Sequence, residues 1–108
     1  MKVDRERFAR EMALEEPMVR ELYAVFAEEL ASDLNMLRQA HASGDPVSYA
    51  SAVHKIKGTS ASYLAGNLLA CVSKADAQMK AGNPAAGMGM ISEIEKMGKA
   101  VLQEIAAW

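Results

Sequence analysis

The sequence predicts an all-α fold: an antiparallel up-and-down four-helix bundle with an additional short N-terminal helix, formed as one domain over residues 1–108. Three observations predict it. Alanine, methionine, leucine and glutamate are plentiful while valine, isoleucine and threonine are sparse, which favours helix over strand. Apolar residues recur at three- and four-residue spacing, and no alternating stretch is long enough for a strand. Turn signals lie close between these periodic segments, and short connections between long amphipathic helices make neighbours antiparallel.

The first helix is short and carries Phe8 and Met12. Glu15-Glu16-Pro17 then opens the longest helix, because acidic residues and a proline both suit a helix N-terminus. It runs from about Pro17 to Ala42 with Val19, Leu22, Tyr23, Phe26, Leu30, Leu34, Leu37 and His41 along its stripe. In Ser43-Gly44-Asp45-Pro46, Gly44 ends that helix, Asp45 caps the next and Pro46 enters its first turn. The third helix reaches about Leu64, and a softer break at Ala65-Gly66-Asn67 leads into a fourth, from about Asn67 to Ala81. Gly82-Asn83-Pro84 repeats the punctuation with Asn83 as cap, before a last helix bearing Met88, Ile91, Ile94, Met97, Val101 and Ile105.

Composition excludes several classes of function. A chain of 108 residues, 51% of them apolar, can build a core without disulfides or metal. The net charge is −2 and no basic run forms a phosphate-backbone footprint, so no nucleic-acid partner is expected. No apolar stretch approaches a membrane span, and the charged N-terminus is unlike a signal peptide. A single cysteine, Cys71, permits no internal disulfide, which fits a reducing cytoplasm; its apolar helical setting makes it a small core residue. The eight methionines fall mostly within the helical stripes, as gap fillers. A monomer is expected.

The chemistry lies on the third helix, in Ala50-Ser51-Ala52-Val53-His54-Lys55-Ile56-Lys57-Gly58-Thr59-Ser60-Ala61. At about 100° per residue, Tyr49, Val53, Ile56, Ser60, Tyr63 and Leu64 gather on a core stripe. Ser48, Ser51, Lys55, Thr59 and Ser62 lie broadly opposite, toward water. His54 sits between the two zones, with Val47, Ala50, Ser51, Lys57, Gly58 and Ala61 as its helical neighbours. Apart from Lys57 these are short, so a partner's flat surface can reach the imidazole. A glycine inside a helix costs ~1 kcal/mol relative to alanine, and Gly58 one turn beyond His54 clears the approach to the ring. Lys57, at i+3, brings a cation to the same space. Nucleophile, cation and clearance are what phosphoryl transfer requires, because that reaction depends on positioning and charge stabilisation. An imidazole of ordinary pKa, ~6.5, is largely neutral and nucleophilic near neutral pH, and its Nε2 is the atom at the exposed tip.

The segment His54-Lys55-Ile56-Lys57-Gly58-Thr59-Ser60-Ala61-Ser62 resembles the signature of histidine-containing phosphotransfer (HPt) domains. In that family a lysine follows the histidine by three residues, then glycine and small residues. Helix order and length agree along essentially the whole chain, although only the motif helix carries recognisable residues. The resemblance implies His54 as phosphoacceptor, Lys57 as phosphoryl-stabilising cation, and Val47, Ala50, Ser51, Lys55, Gly58 and Ala61 as partner-binding surface. Donor and acceptor would be receiver domains of response regulators or hybrid histidine kinases. No cofactor of the chain's own is implied: any magnesium would belong to the receiver. With no glycine-rich phosphate loop the chain is expected to carry phosphoryl groups, not to draw them from ATP.

Two positions depart from the family pattern. Leu64 stands where members commonly have a glycine, ten residues after the histidine, so the third helix is expected to run slightly longer. Asp76 stands, in an ungapped register, where many members carry a glutamine facing the histidine. A gapped register would bring Gln78 there but would displace Leu68 and Cys71 from their apolar positions. An aspartate near His54 would raise its pKa and repel phosphate, so Asp76 is expected either to orient the ring or to point away. Two further readings are weighed against phosphotransfer. A helical adaptor would dock on a signalling partner without chemistry. A metal-binding bundle is disfavoured by having only His41 and His54 with no glutamate-x-x-histidine pair, and His41, near a helix C-terminus, suits the exposed carbonyls there.

Overall fold

In a computed structural model, which describes residues 2–108, the chain forms six helices and no strand among those residues. They are α1 (Arg5–Met12), α2 (Glu16–Ala42), α3 (Pro46–Ser62), α4 (Gly66–Lys80), α5 (Pro84–Met88) and α6 (Ile91–Ala106). At about 1.5 Å per residue α2 is ~40 Å long, and it sets the 42 Å long axis of the molecule. The principal contacts join α2 to α3, α3 to α4, α4 to α6 and α6 back to α2, closing a ring of four long helices. Inside it lie Phe26, Leu30 and Leu34 of α2, Tyr49, Val53 and Ile56 of α3, Leu68 and Val72 of α4, and Ile94 and Val101 of α6. Each buried side chain of this size is worth about 1.5–3 kcal/mol relative to exposure, so the ring is held mainly by this apolar column. At Gly98 of α6 an added Cβ would lie 2.8 Å from Leu34 Cδ1, so glycine there lets α6 approach α2 closely.

The motif helix is pinned at both ends. At its start, Asp45 Oδ1 accepts from Ser48 N (3.1 Å) and Asp45 Oδ2 from the Ser48 hydroxyl (2.6 Å), as expected of an N-cap. Four residues along, the buried Tyr49 hydroxyl donates to Gly87 O (2.8 Å), tying α3 to α5. At its end, the Tyr23 hydroxyl donates to Tyr63 O (2.6 Å), and Tyr63 stacks on Phe26 with ring centroids 4.7 Å apart. His54 lies between these anchors, so its backbone is fixed by groups on two other helices, α2 and α5.

Several expectations need correction. The third helix does not run on: it stops at Ser62, and Leu64 adopts a left-handed backbone (φ 57°). That conformation suits glycine and costs an L-residue about 1–2 kcal/mol. It persists because Leu64 O accepts from Asp4 N (3.2 Å) while its side chain packs on the core, locking the turn into α4. The last helix is divided. Gly87 O accepts from Met90 N at three-residue spacing as well as from Tyr49, which tightens the chain into a turn before α6. Asn83 occupies the cap position of α5, but its side chain makes no cap bond and donates instead to Gln78 Oε1 (3.3 Å). Met12 is exposed because α1 ends there and the chain turns through a left-handed Ala13, leaving Leu14 to pack on the core. In α2 the inward register passes through Ala40, so His41 is exposed.

Candidate functional site

The outward strip of α3 is built as its spacing predicts. His54, Ser51, Lys55, Gly58 and Ala61 are exposed, Ala50 and Lys57 are half-buried, and Val47 is 79% exposed. The buried stripe beneath is Tyr49, Ala52, Val53, Ile56 and Ser60, with Tyr63 and Leu64 only partly covered. Thr59 is also half-buried, its hydroxyl donating to Lys55 O (3.2 Å). Around Gly58 there is open space: an added Cβ would meet no atom within 4 Å. Packing within the chain therefore does not require this glycine. What its missing side chain leaves is free surface one turn from His54.

Because α3 lies between α2 and α4, His54 has two different flanks. Toward α4, Lys57 Nζ lies 3.0 Å from Asp76 Oδ2, and Lys80 Nζ lies 2.8 Å from the same oxygen. The Asp76 side chain is 7% exposed while those of Lys57 and Lys80 are 37% and 65% exposed, so a sunken carboxylate holds two cations at the surface. The hydrogen bond from Lys80, together with that from Lys57, keeps the Asp76 carboxyl below the usual carboxylate range, against the opposing effect of burial. The Asp76 carboxylate engages the two lysines, and among the described residues no hydrogen bond joins it to the imidazole. The three side chains sum to one positive charge at the α3–α4 surface.

Toward α2, a groove of about 600 Å3 runs past His54 and Gly58. Its α2 wall carries Glu28, Glu29 and Asp33, and Lys55 and Thr59 complete the α3 wall. Asp33 is 8% exposed. Burial pushes its carboxyl upward, Lys55 opposes this through space, and Glu29 adds to it. Among the described residues no group of three or more histidine, cysteine, aspartate or glutamate side chains is placed to hold a metal ion. Cys71 is a buried free thiol, raised above its ordinary pKa by burial.

Two residues of this neighbourhood were not singled out from the sequence. Lys80 carries a signal that could have found it, since it follows Asp76 by four residues, the spacing at which acid and base pair on a helix. Asp33 was passed over within an apolar stripe, although Phe26, Leu30, Asp33 and Leu37 keep an unbroken inward spacing.

A family model described as "Hpt domain" matches residues 21–107 of the chain. No curated protein and no solved structure matches it.

Proposed function

Since the chain belongs to the Hpt-domain family, whose members act in histidine phosphotransfer within phosphorelays, we propose that it relays phosphoryl groups between receiver-domain aspartates through His54. The observation that carries this reading is the pairing of an exposed His54, open space at Gly58 and a cation on Lys57 anchored from α4. In the forward step the neutral imidazole attacks the phosphorus of an aspartyl phosphate through Nε2. An N–P bond forms, the acyl P–O bond breaks, and the receiver's carboxylate departs with the electron pair. The reverse steps pass the group to the next receiver. Lys57 offsets the charge on the phosphoryl oxygens, while Lys80 keeps Asp76 paired when Lys57 turns toward them. Val47, Ala50, Ser51, Lys55 and Ala61 form the surface on which the receiver rests, and any magnesium is held by the receiver.

The same reading takes the ring of α2, α3, α4 and α6 as an antiparallel up-and-down bundle. Its α2–α3 and α3–α4 connections span three residues each, residues 43–45 and 63–65, and leave the chain no length to cross the bundle.

Incubation with a phosphorylated receiver should give acid-labile, base-stable phosphohistidine, and His54→Gln should abolish it. Labelling that survives His54→Gln would overturn the assignment. Tight receiver binding with no transfer in either direction would favour a non-catalytic helical adaptor.

A further inference from the structure

The groove between α2 and α3 contains a feature that the phosphotransfer reading leaves unused. Asp33 lies in the middle of α2, where backbone N–H groups are already taken by the helix and none is free to bond a carboxylate. Its position continues the inward register of Phe26 and Leu30, and the residue is 8% exposed. The influences on its carboxyl are burial and the distant charges of Lys55 and Glu29, with no hydrogen bond among them. Among the described residues no cation lies within salt-bridge distance of it. Yet Asp33 lines the groove, whose floor reaches His54 and Gly58. Burial has taken part of this carboxylate's water without supplying a partner, while its oxygens stay open to the groove, and that cost falls when a cation arrives.

The surroundings narrow the ligand. Glu28 and Glu29 on the same wall add negative charge, against the single Lys55 opposite. An anion is therefore repelled. A bare metal ion finds no set of three protein donors. The groove opens directly beside the phosphoacceptor, on the surface that a docking receiver must cover. A basic side chain carried by that receiver matches the charge, the depth and the location.

We propose that the α2–α3 groove is a specificity site, in which Asp33 receives an arginine or lysine side chain from the docking face of the receiver domain. The proposal rests on the phosphotransfer reading and assigns Asp33 to partner choice, not to chemistry. Glu28 and Glu29 strengthen the field that draws the basic side chain in, and Gly58 leaves room for its stem.

The test compares Asp33→Asn with the unsubstituted protein in two assays. Asparagine keeps the shape and removes the buried charge, so folding is not at risk. Phosphoramidate, a small donor that needs no docking surface, should phosphorylate His54 at a rate within about twofold of the unsubstituted protein. With a phosphorylated cognate receiver, the half-saturating concentration should rise about three- to tenfold at low salt, while the rate at saturation is unchanged. That increase should shrink as ionic strength rises. Exchanging charges, with Asp33→Arg on this chain and an acidic residue replacing the receiver's basic one, should restore much of the lost affinity. An unchanged half-saturating concentration in Asp33→Asn, with normal transfer by the unsubstituted protein, would overturn the groove proposal alone. Failure of the unsubstituted protein to exchange phosphoryl groups with any receiver would overturn the phosphotransfer reading, and the groove proposal with it. A slowed phosphoramidate reaction would instead place Asp33 in the chemistry and likewise overturn the proposal.

Discussion

On the α4 side of His54, Asp76 shares one carboxylate oxygen between Lys57 and Lys80; on the α2 side, Asp33 is covered to a similar depth and has neither donor nor cation. Both residues interrupt an apolar helix face, and composition gives no hint that they differ. The first carboxylate is satisfied within the chain and works by fixing where a lysine sits. The second has no partner within the described residues, and the groove proposal has it satisfied from outside. Burial alone therefore says little about the task of an acidic residue, and its partners say much more. On the proposed reading one flank serves the phosphoryl group and the other the protein that brings it.

The largest effect should come from emptying the paired flank of its useful cation. Lys57→Ala should slow transfer from a phosphorylated receiver by about 100-fold, the usual scale for removing one preorganised charge partner at a transfer site. Its melting temperature should scarcely move, because Asp76 keeps Lys80 at 2.8 Å. Lys55→Ala, on the opposite flank, should change the saturated rate by less than about threefold, since that exposed lysine makes only a weak surface interaction. Equal losses in the two variants would break the comparison, and would mean that any nearby cation serves.

Stability should separate the flanks next. Asp76→Asn removes the carboxylate that two lysines share and leaves them facing each other. It should cost about 1 kcal/mol in urea denaturation, a modest figure because the lysine ends are 37% and 65% exposed. Asp33→Asn should go the other way and stabilise by about 0.5 kcal/mol at neutral pH, by removing a partly desolvated charge that has no partner within the chain. A loss of stability in Asp33→Asn would show that its carboxylate is already satisfied.

Much of this is legible in the sequence. The position of His54 on the border of a core stripe follows from helical spacing, and so do the short residues around it. The cap at Asp45 was readable because a side-chain acceptor followed by proline has few other uses. Leu64 was misread for a physical reason: matching residue types ties a left-handed backbone to glycine, whereas here a leucine is held there by its packing and by Asp4. The break before α6 depends on Tyr49, more than thirty residues away, taking the Gly87 carbonyl. No local pattern contains that contact. Asp33 was the opposite case, since its spacing was visible throughout and an apolar pattern was simply read across it.

The smallest effect, and the most direct comparison, is the response to acid. The native Asp76 carboxyl lies below its ordinary range, so above that range the folded state gains from the ionised form. This contribution is present above the unfolded pKa, ~3.9, and is lost as pH falls through the lower native value. The native Asp33 carboxyl lies above its ordinary range, so the folded state holds its proton more tightly than the unfolded chain. Between the two values stability falls as pH rises, and the penalty is fully present only above the raised native pKa. Removing each charge should therefore shift the pH–stability curve in opposite directions. From pH 7 toward pH 3, the deficit of Asp76→Asn relative to the unsubstituted protein should shrink, and so should the advantage of Asp33→Asn. The first deficit should persist to lower pH, because the lysines at Asp76 hold its proton off longer, whereas Lys55 only partly relieves Asp33. Urea midpoints at half-unit intervals of pH would resolve the order. If both differences faded over the same interval, the two carboxylates would be equally solvated, and Asp33 would have no unmet charge to offer a partner.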